Sequence, residues 1–142
     1  MITVADFMTR ELVTVKESDD LALAQSILRL GGIRHLPVVR ERKLVGLVTQ
    51  RDVVRMTGGG PAARSVQASD VMTREVATVA PRSSLAHAAH LMLRHKYGCL
   101  PVCEEDGTLV GIITESDFVR FAADVVQDLD LVQEAVSTRG SA

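Results

Sequence analysis

Two short stretches of the sequence place an aspartate three residues after a threonine: Thr49 with Asp52, and Thr114 with Asp117. Each pair ends an apolar run that starts at a glycine, a composition typical of a buried strand. A hydroxyl and an acid at this spacing form a capping box, which satisfies free backbone amides at the start of a helix. The same two groups at the end of a strand also suit a sugar or a phosphate. The local sequence leaves both interpretations open.

The surroundings of these pairs reveal an internal repeat. Three segments recur in the same order, at offsets of 64 or 65 residues: DFMTRELVTV at 6–15 and DVMTREVATV at 70–79, LPV at 36–38 and 100–102, and GLVTQRD at 46–52 and GIITESD at 111–117. A period of this length indicates a duplicated structural unit. We therefore expect two copies of one fold, each contributing one Thr–Asp pair.

Each repeat predicts a strand, a helix, a hairpin and a second helix. In the first repeat, residues 12–15 predict a short strand, and Ser18 or one of the next two aspartates caps a helix that ends at Gly31-Gly32. Two apolar runs joined by a short charged turn then predict a hairpin, and Thr49 opens the second helix. The predicted fold class is α/β (α+β), with two β-α-β-β-α repeats packed sheet to sheet about a pseudo-twofold axis.

The repeat divides the chain into four parts. We expect repeat 1 at 1–58, a linker at 59–69, repeat 2 at 70–121, and a C-terminal helical extension and tail at 122–142. The extension continues an apolar stripe at helical spacing, made of Phe118, Phe121, Val125, Leu129, Val132 and Val136. This stripe either folds back on its own module or packs on a second subunit or partner.

Composition excludes several classes of protein. The 142 residues are 46% hydrophobic and only 3% aromatic, which fits an aliphatic globular core. No apolar run approaches the ~18 residues of a membrane span, so we expect a soluble cytoplasmic protein. Cys99 and Cys103 are expected to be reduced thiols, with a redox pair as the alternative. The net charge of −2 and the few aromatic residues disfavour nucleic-acid binding.

Taken together, these motifs resemble a tandem pair of cystathionine-β-synthase (CBS) domains, often called a Bateman module. The resemblance rests on DFMT at 6–9, DVMT at 70–73, IRHLPV at 33–38 and the two stretches that end in Thr-x-x-Asp. It extends from Asp6 to about Phe121. Each motif alone is weak, but their order, duplicated with the correct spacing, is specific.

The resemblance implies adenosine-containing ligands in two clefts between the repeats. In that family the aspartate of Thr-x-x-Asp bonds the ribose hydroxyls, while residues of the first strand and those before the proline hold the adenine. Carried over by position within each repeat, the first site consists of Thr14, Ile33, Pro37, Thr49 and Asp52, and the second of Thr78, Tyr97, Pro101, Thr114 and Asp117. No cofactor is required; the adenine nucleotide is a regulatory ligand.

The two expected sites differ in charge. Arg34, His35 and Arg51 accompany the first site, where the resemblance implies contacts with ligand phosphates, whereas Glu115 and Ser116 accompany the second. We therefore expect the Asp52 site to bind the more anionic ligand. The Asp117 site is expected to prefer a weakly charged ligand or to remain empty.

Several of these residues also have ordinary structural interpretations. Arg34 and His35 suit a solvated hairpin, because charged side chains are mostly exposed. Tyr97 either stacks on adenine or packs in the core. His87 and His90 share a helix face, but no further ligand lies near them in sequence, so a solvated face is favoured over a metal site.

The resulting functional hypothesis is a stand-alone regulatory module that senses AMP, ADP, ATP, S-adenosylmethionine or NAD. The sequence contains no nucleophile–histidine arrangement with a supporting acid, no Walker-type loop and no complete metal set, so we expect no enzyme activity. The alternative is a structural dimerisation or docking module in which the Thr–Asp pairs are only helix caps. Expected partners are a second copy of the chain and an unidentified effector protein, with neither a membrane nor nucleic acid.

Overall fold

The computed structural model of the chain describes residues 1–57 and 65–140. Within these two segments the elements are α1 (Val4–Phe7), β1 (Val15–Lys16), α2 (Leu21–Gly31), β2 (His35–Arg40), β3 (Lys43–Thr49), α3 (Gln50–Thr57), α4 (Ala68–Val71), α5 (Leu85–His95), β4 (Cys99–Cys103), β5 (Leu109–Thr114) and α6 (Glu115–Gly140). The mixed α/β (α+β) class and the duplicated order of elements are confirmed. Positions 59–64 of the predicted linker and the last two residues of the tail lie outside the described residues.

The helix boundaries follow from local capping. The Asp20 carboxylate accepts the backbone N–H of Leu23 over 2.8 Å at the start of α2, and Ser84 accepts that of His87 over 3.0 Å at the start of α5. Gly32 ends α2 with a φ of 61°, the left-handed conformation that glycine adopts without steric cost. The caps predicted from the sequence are confirmed, with the second aspartate rather than Ser18 capping α2.

The first sheet has the order β1-β2-β3, and the second contains β4 and β5. Strands β2 and β3 form one antiparallel hairpin, and β4 and β5 form the other. The predicted first strand at 12–15 is wrong in its bounds, because only Val15 and Lys16 lie opposite β2, where they pair in parallel with Val38 and Val39. In repeat 2 the same position contributes a single parallel bridge between Val79 and Val102.

The two repeats exchange their leading segments. Val4 and Met8, at the start of the chain, are buried in a core formed otherwise by repeat 2. Ala68 and Met72, where the linker passes into repeat 2, are buried in the core of repeat 1. The backbone follows the same exchange, since Thr9 pairs with Ile112 of β5, and Thr73 pairs with Leu47 of β3. Each hydrophobic core therefore requires residues from both halves of the sequence.

The glycine that opens each Thr-x-x-Asp stretch accommodates the exchanged methionine. A Cβ built on Gly46 would lie 2.5 Å from Met72 Sδ, and one built on Gly111 would lie 2.6 Å from Met8 Sδ. Real Cβ atoms essentially never make such contacts, so a side chain at either position would displace the methionine. In each half of the molecule, the glycine before one repeat's Thr-x-x-Asp thus packs against the methionine of the other repeat's DxMT motif.

The described part of the predicted linker is bonded to repeat 1. Leu21 N–H donates to the carbonyl of Val66 over 2.9 Å, and Ala68 N–H donates to that of Asp19 over 2.8 Å. The start of α2 and the segment before α4 therefore hold each other in place. Residues 66–69 belong structurally to repeat 1 rather than to a free connection.

Helix α6 extends well beyond its counterpart in repeat 1, α3. Phe121 packs edge-on against Phe7, with ring centroids 4.7 Å apart, and Phe118 also contacts the second core. Beyond them, every residue of α6 from 122 to 140 is exposed. The fold-back alternative therefore holds for Phe118 and Phe121 and is wrong for the rest of the stripe. Among the described residues, no helix combines the length and apolar character needed to cross a membrane.

Candidate functional site

Both Thr–Asp pairs form the capping geometry expected from their spacing. Asp52 Oδ2 accepts the backbone N–H and the hydroxyl of Thr49, each over 2.9 Å. Asp117 Oδ2 accepts the same two groups of Thr114, over 2.9 and 3.4 Å. Each pair lies where the hairpin of its repeat passes into the following helix. In both repeats, this leaves the second carboxylate oxygen, Oδ1, for other partners.

Asp117 uses that second oxygen within the protein. Its Oδ1 accepts the hydroxyl of Thr9 over 3.1 Å and the guanidinium of Arg120 over 3.2 Å. The aspartate is only 2% exposed, whereas the Arg120 side chain is 67% exposed. A buried carboxylate is expensive unless it is well hydrogen-bonded, and here both oxygens have donors. Asp117 is therefore fully engaged.

Asp52 differs from Asp117 in this respect. It is half-buried, and within the described residues its Oδ1 accepts no hydrogen bond. Thr73 and Arg55 hold the positions equivalent to Thr9 and Arg120, yet in the described part of the chain neither side chain bonds to Asp52. The two repeats thus share a sequence pattern but present carboxylates in different states.

A cavity of about 460 Å³ lies between the repeats, close to Thr114. Its size is that of a typical small-molecule site. Repeat 1 contributes the residues after α1, the residues after α2 and the start of β2. Repeat 2 contributes residues of β5 and the start of α6. The lining residues are Thr9, Glu11, Leu12, Val13, Gly32, Ile33, Arg34, His35, Pro37, Gly98, Ile112, Thr114, Glu115 and Ser116.

A second, more open cleft adjoins this cavity and shares Arg34, His35, Gly98 and Glu115 with it. Its volume is about 720 Å³, and Thr49 also lines it. Four cationic side chains border this central cleft: Arg34, Arg51, Arg55 and Lys96. Glu115 is the acidic residue among its lining groups. The excess of positive charge makes the cleft suited to an anion.

His35 lies at the boundary of the two cavities and packs directly on Gly98. A Cβ on Gly98 would be 2.8 Å from His35 Cε1 and Nε2, so glycine allows the imidazole to approach the opposite repeat. His35 Nδ1 is buried, and within the described residues it has no hydrogen-bond partner. Burial lowers the pKa of His35 below its usual value of 6.5; Glu115 opposes this shift and Arg34 adds to it. The lowered pKa favours the neutral imidazole.

The structure groups the sequence-predicted residues across the repeats rather than within them. Ile33 and Pro37 share the 460 Å³ cavity with Thr114 of the other repeat, whereas Thr14 and Asp52 are not among its lining residues. The bridge between Thr9 and Ile112 brings the start of repeat 1 against β5, the strand that ends at Thr114. Arg34 and His35 line both cavities, so they do not distinguish an Asp52 site from an Asp117 site.

Other predicted residues lie away from this cavity. Tyr97 stacks on His95, with ring centroids 5.2 Å apart. Pro101 is buried, and its carbonyl accepts the N–H of Val79, which follows the exposed Thr78. His87 is exposed on α5, and the described residues contain no group of three side chains placed to hold a metal ion. The adenine-stacking role of Tyr97 remains a prediction.

Several residues of these surfaces are not among the sequence-predicted site residues. Leu12 and Val13, predicted as strand residues, line the 460 Å³ cavity. Arg55 and Lys96 reach the central cleft, and Thr9 bonds to Asp117. For Thr9 the only sequence signal was its place in the repeated DxMT motif, which carries no indication of a contact 108 residues away.

The cysteines take no part in the site. Both are free, and burial raises the pKa of the Cys99 thiol to about 12 and raises that of Cys103 as well. A thiol with a raised pKa is protonated at pH 7 and is a poor nucleophile or metal ligand. This supports the expectation of inert, reduced thiols.

Comparison with known proteins places these features in a family. The model of the CBS domain matches twice, at residues 4–58 and 68–124. An inosine-5'-monophosphate dehydrogenase of Korarchaeum cryptofilum is 39% identical over 111 residues, which are 78% of this chain and 22% of that enzyme. The CBS domain-containing protein YhcV of Bacillus subtilis is 31% identical over 117 residues, 82% of this chain and 83% of YhcV. The chain thus spans about a fifth of the dehydrogenase.

Solved structures show the same fold. The AcuB protein of Vibrio cholerae superposes with a TM-score of 0.83 at 38% identity, covering 92% of this chain and 96% of that one. CBSX2, from Arabidopsis thaliana, in complex with AMP gives 0.77 at 30% identity over 88% and 98% of the two chains. The MJ0100 CBS pair with 5'-methylthioadenosine and S-adenosylmethionine gives 0.77 at 28% identity, over 87% and 98%. The chain belongs to the CBS domain family, as a pair of CBS repeats.

Proposed function

We propose that the chain is a non-catalytic regulatory module that binds an adenosine-containing ligand between its repeats. The observation that carries this proposal is the 460 Å³ cavity, to which both repeats contribute side chains. A ligand held there contacts both halves, so its presence or absence can alter how they sit against each other. Related CBS pairs bound to AMP, or to 5'-methylthioadenosine and S-adenosylmethionine, support the choice of ligand class.

The cavity lining suits the parts of such a ligand. Leu12, Val13, Ile33 and Pro37 offer apolar surface for an adenine ring. The Thr114 hydroxyl and the carboxylate that it contacts offer hydrogen-bonding groups for a ribose. Ligands with this combination of an apolar ring and a polar sugar include AMP, ADP, ATP, S-adenosylmethionine and NAD.

The phosphates of an anionic ligand would lie in the central cleft. Arg34 borders both cavities and is the first cation that a phosphate leaving the smaller cavity would meet. Arg51 and Arg55 lie on the Asp52 side, whereas Glu115 lies on the Asp117 side. We therefore propose that the Asp52 side accepts the more anionic ligand. The basis of this proposal is Arg51 and Arg55, rather than Arg34 and His35, which line both cavities.

A thermal-shift screen with AMP, ADP, ATP, S-adenosylmethionine and NAD tests this function. A ligand present at 100 times its dissociation constant adds ~2.7 kcal/mol of stability, which is easily measured. Ribose 5-phosphate and guanosine monophosphate serve as controls for the sugar phosphate and for the base. A shift with adenosine compounds alone supports the proposal, whereas no shift with any of them would favour a docking module without a small-molecule ligand.

Helix α6 supports a second proposal, that the chain forms a homodimer through its C-terminal extension. Val125, Leu129, Val132 and Val136 recur on one face and are 38% to 64% exposed. A second copy would remove this apolar surface from water, a favourable contribution to association. Light scattering of the full chain and of a chain ending at Phe121 tests it. We expect the full chain to be a dimer and the shortened chain to be a monomer. The same oligomeric state for both chains would argue instead for an effector protein on this face.

A further inference from the structure

We infer that Thr9 and Arg120 are intramolecular competitors of the ligand, and that they hold the Asp117 carboxylate closed to a ribose until a ligand displaces them. This inference rests on the proposed function, because it concerns access to the same cavity. It concerns two side chains that the Thr-x-x-Asp motif does not contain. Thr9 and Arg120 thereby set the ligand concentration at which the cleft fills.

The Asp117 carboxylate is saturated with hydrogen bonds from the protein. Its Oδ2 accepts two groups of Thr114, and its Oδ1 accepts the Thr9 hydroxyl and the Arg120 guanidinium. An ionised carboxylate offers about four acceptor positions, and all of them are taken here. Two ribose hydroxyls that bond this group must therefore replace existing donors rather than fill a free position.

The two competing donors, Thr9 and Arg120, differ in how readily they leave the Asp117 carboxylate. The Arg120 side chain is 67% exposed, so its guanidinium can turn into water without loss of packing. Thr9 is held more firmly, since its backbone exchanges two hydrogen bonds with Ile112, of 2.8 and 3.0 Å. Only rotation of the Thr9 side chain can release the carboxylate without breaking this pairing.

The Asp52 side differs from the Asp117 side. Thr73 and Arg55 occupy the positions there that correspond to Thr9 and Arg120. Within the described residues neither side chain bonds to Asp52, whose Oδ1 accepts no hydrogen bond. The competition is therefore a property of the Asp117 side, and Thr73 provides a matched control variant.

Displacement also has a structural consequence. Thr9 follows α1, which packs into the second core, and Arg120 lies in the first turns of α6. A ligand that takes their place at Asp117 releases one contact from each of these elements. Occupancy of the cleft is thus linked to the start of the chain and to the exposed C-terminal helix.

Titration calorimetry with adenosine tests the inference, since an uncharged nucleoside removes the influence of the cationic cleft. We expect Thr9→Val to lower the dissociation constant about tenfold, the equivalent of one hydrogen bond to a charged group. Arg120→Ala is expected to lower it about threefold, because an exposed ion pair is weaker. The control Thr73→Val is expected to keep the wild-type constant, as is Thr9→Ser, which retains the hydroxyl.

The outcomes separate the inference from the proposed function. Tighter binding by Thr9→Val and Arg120→Ala, but not by the controls, supports both. Binding of adenosine by every variant with the wild-type constant, or weaker binding by these two variants, overturns the inference and leaves the proposed function intact. Absence of binding by all forms to adenosine, AMP and S-adenosylmethionine overturns the proposed function and the inference with it. Arg120 is exposed, so its variant remains folded if Thr9→Val is not.

Discussion

The hydroxyl of Thr9 donates a hydrogen bond of 3.1 Å to Asp117, although the two residues lie 108 positions apart. Thr9 belongs to the first copy of the DxMT motif, and Asp117 belongs to the second copy of the Thr-x-x-Asp motif. Their contact therefore joins the opening motif of one repeat to the closing motif of the other. It also makes Asp117 a structural residue of the unliganded protein as well as a candidate ligand-binding group.

Replacing Thr9 by valine is expected to destabilise the protein in the absence of any ligand. Valine keeps the shape of threonine but removes a donor to a carboxylate that is 2% exposed. Loss of a partner for a buried polar group costs ~1–3 kcal/mol. Urea unfolding measures the difference, and Thr73→Val, which removes no bond to Asp52, is expected to change the free energy of unfolding by less than ~0.5 kcal/mol. Equal effects of the two variants would contradict this account of Asp117.

Alanine at Gly111 or Gly46 is expected to destabilise the exchanged segments. The new methyl group on Gly111 would lie 2.6 Å from Met8 Sδ and 3.1 Å from the Thr9 carbonyl, so both must shift. Overpacking of this kind costs ~1–3 kcal/mol. Thermal unfolding measures the loss, and Gly140→Ala, where a Cβ meets nothing within 4 Å, is the control.

The contact with methionine can be tested separately from the backbone. Combining Gly111→Ala with Met8→Ala provides space for the methyl group, so the two changes are expected to cost less together than the sum of their separate effects. Strict additivity would indicate that Met8 does not lie against Gly111.

Removal of residues 1–8 is expected to unfold repeat 2 in part, although these residues begin the chain. Val4 is fully buried and Met8 is 8% exposed, and both belong to the second core. Burial of two such side chains is worth ~3–6 kcal/mol in total. Urea unfolding is the measurement. The single variants Val4→Ala and Ile2→Ala provide the comparison, because Ile2 is 49% exposed and its truncation is expected to be nearly neutral.

The stability of the protein is expected to fall as the pH drops below about 6.5, in part because of His35. Burial, the main cause, lowers the pKa of this imidazole in the folded state relative to its usual value of 6.5, despite the opposing effect of Glu115. The unfolded chain therefore binds the proton more readily, so stability rises with pH between the folded and unfolded pKa values and is fully present above the latter. Urea unfolding at pH 5.5 and 7.5 measures this difference, which His35→Asn is expected to reduce.

Local signals in the sequence were sufficient for the elements of this fold. Asp20 and Ser84 cap their helices, Gly32 ends one, and the Thr–Asp pairs form capping boxes, because each of these interactions joins residues within a few positions of each other. The repeat likewise needed only a comparison of the sequence with itself. These features predicted the family, the class of fold and the presence of clefts between two halves.

Contacts between the halves were decided only by the tertiary structure. Thr9 and Thr73 stand in the same DxMT motif, and Arg120 and Arg55 each follow their aspartate by three residues. Within the described residues, only Thr9 and Arg120 bond to the aspartate of their side. Ile33 and Pro37 share a cavity with Thr114 of the other repeat, which their spacing in the sequence does not indicate. The sequence by itself determined which groups each repeat possesses. Long-range packing decided which of these groups meet across the repeats, because contacts between residues far apart in the chain depend on how the whole interior packs.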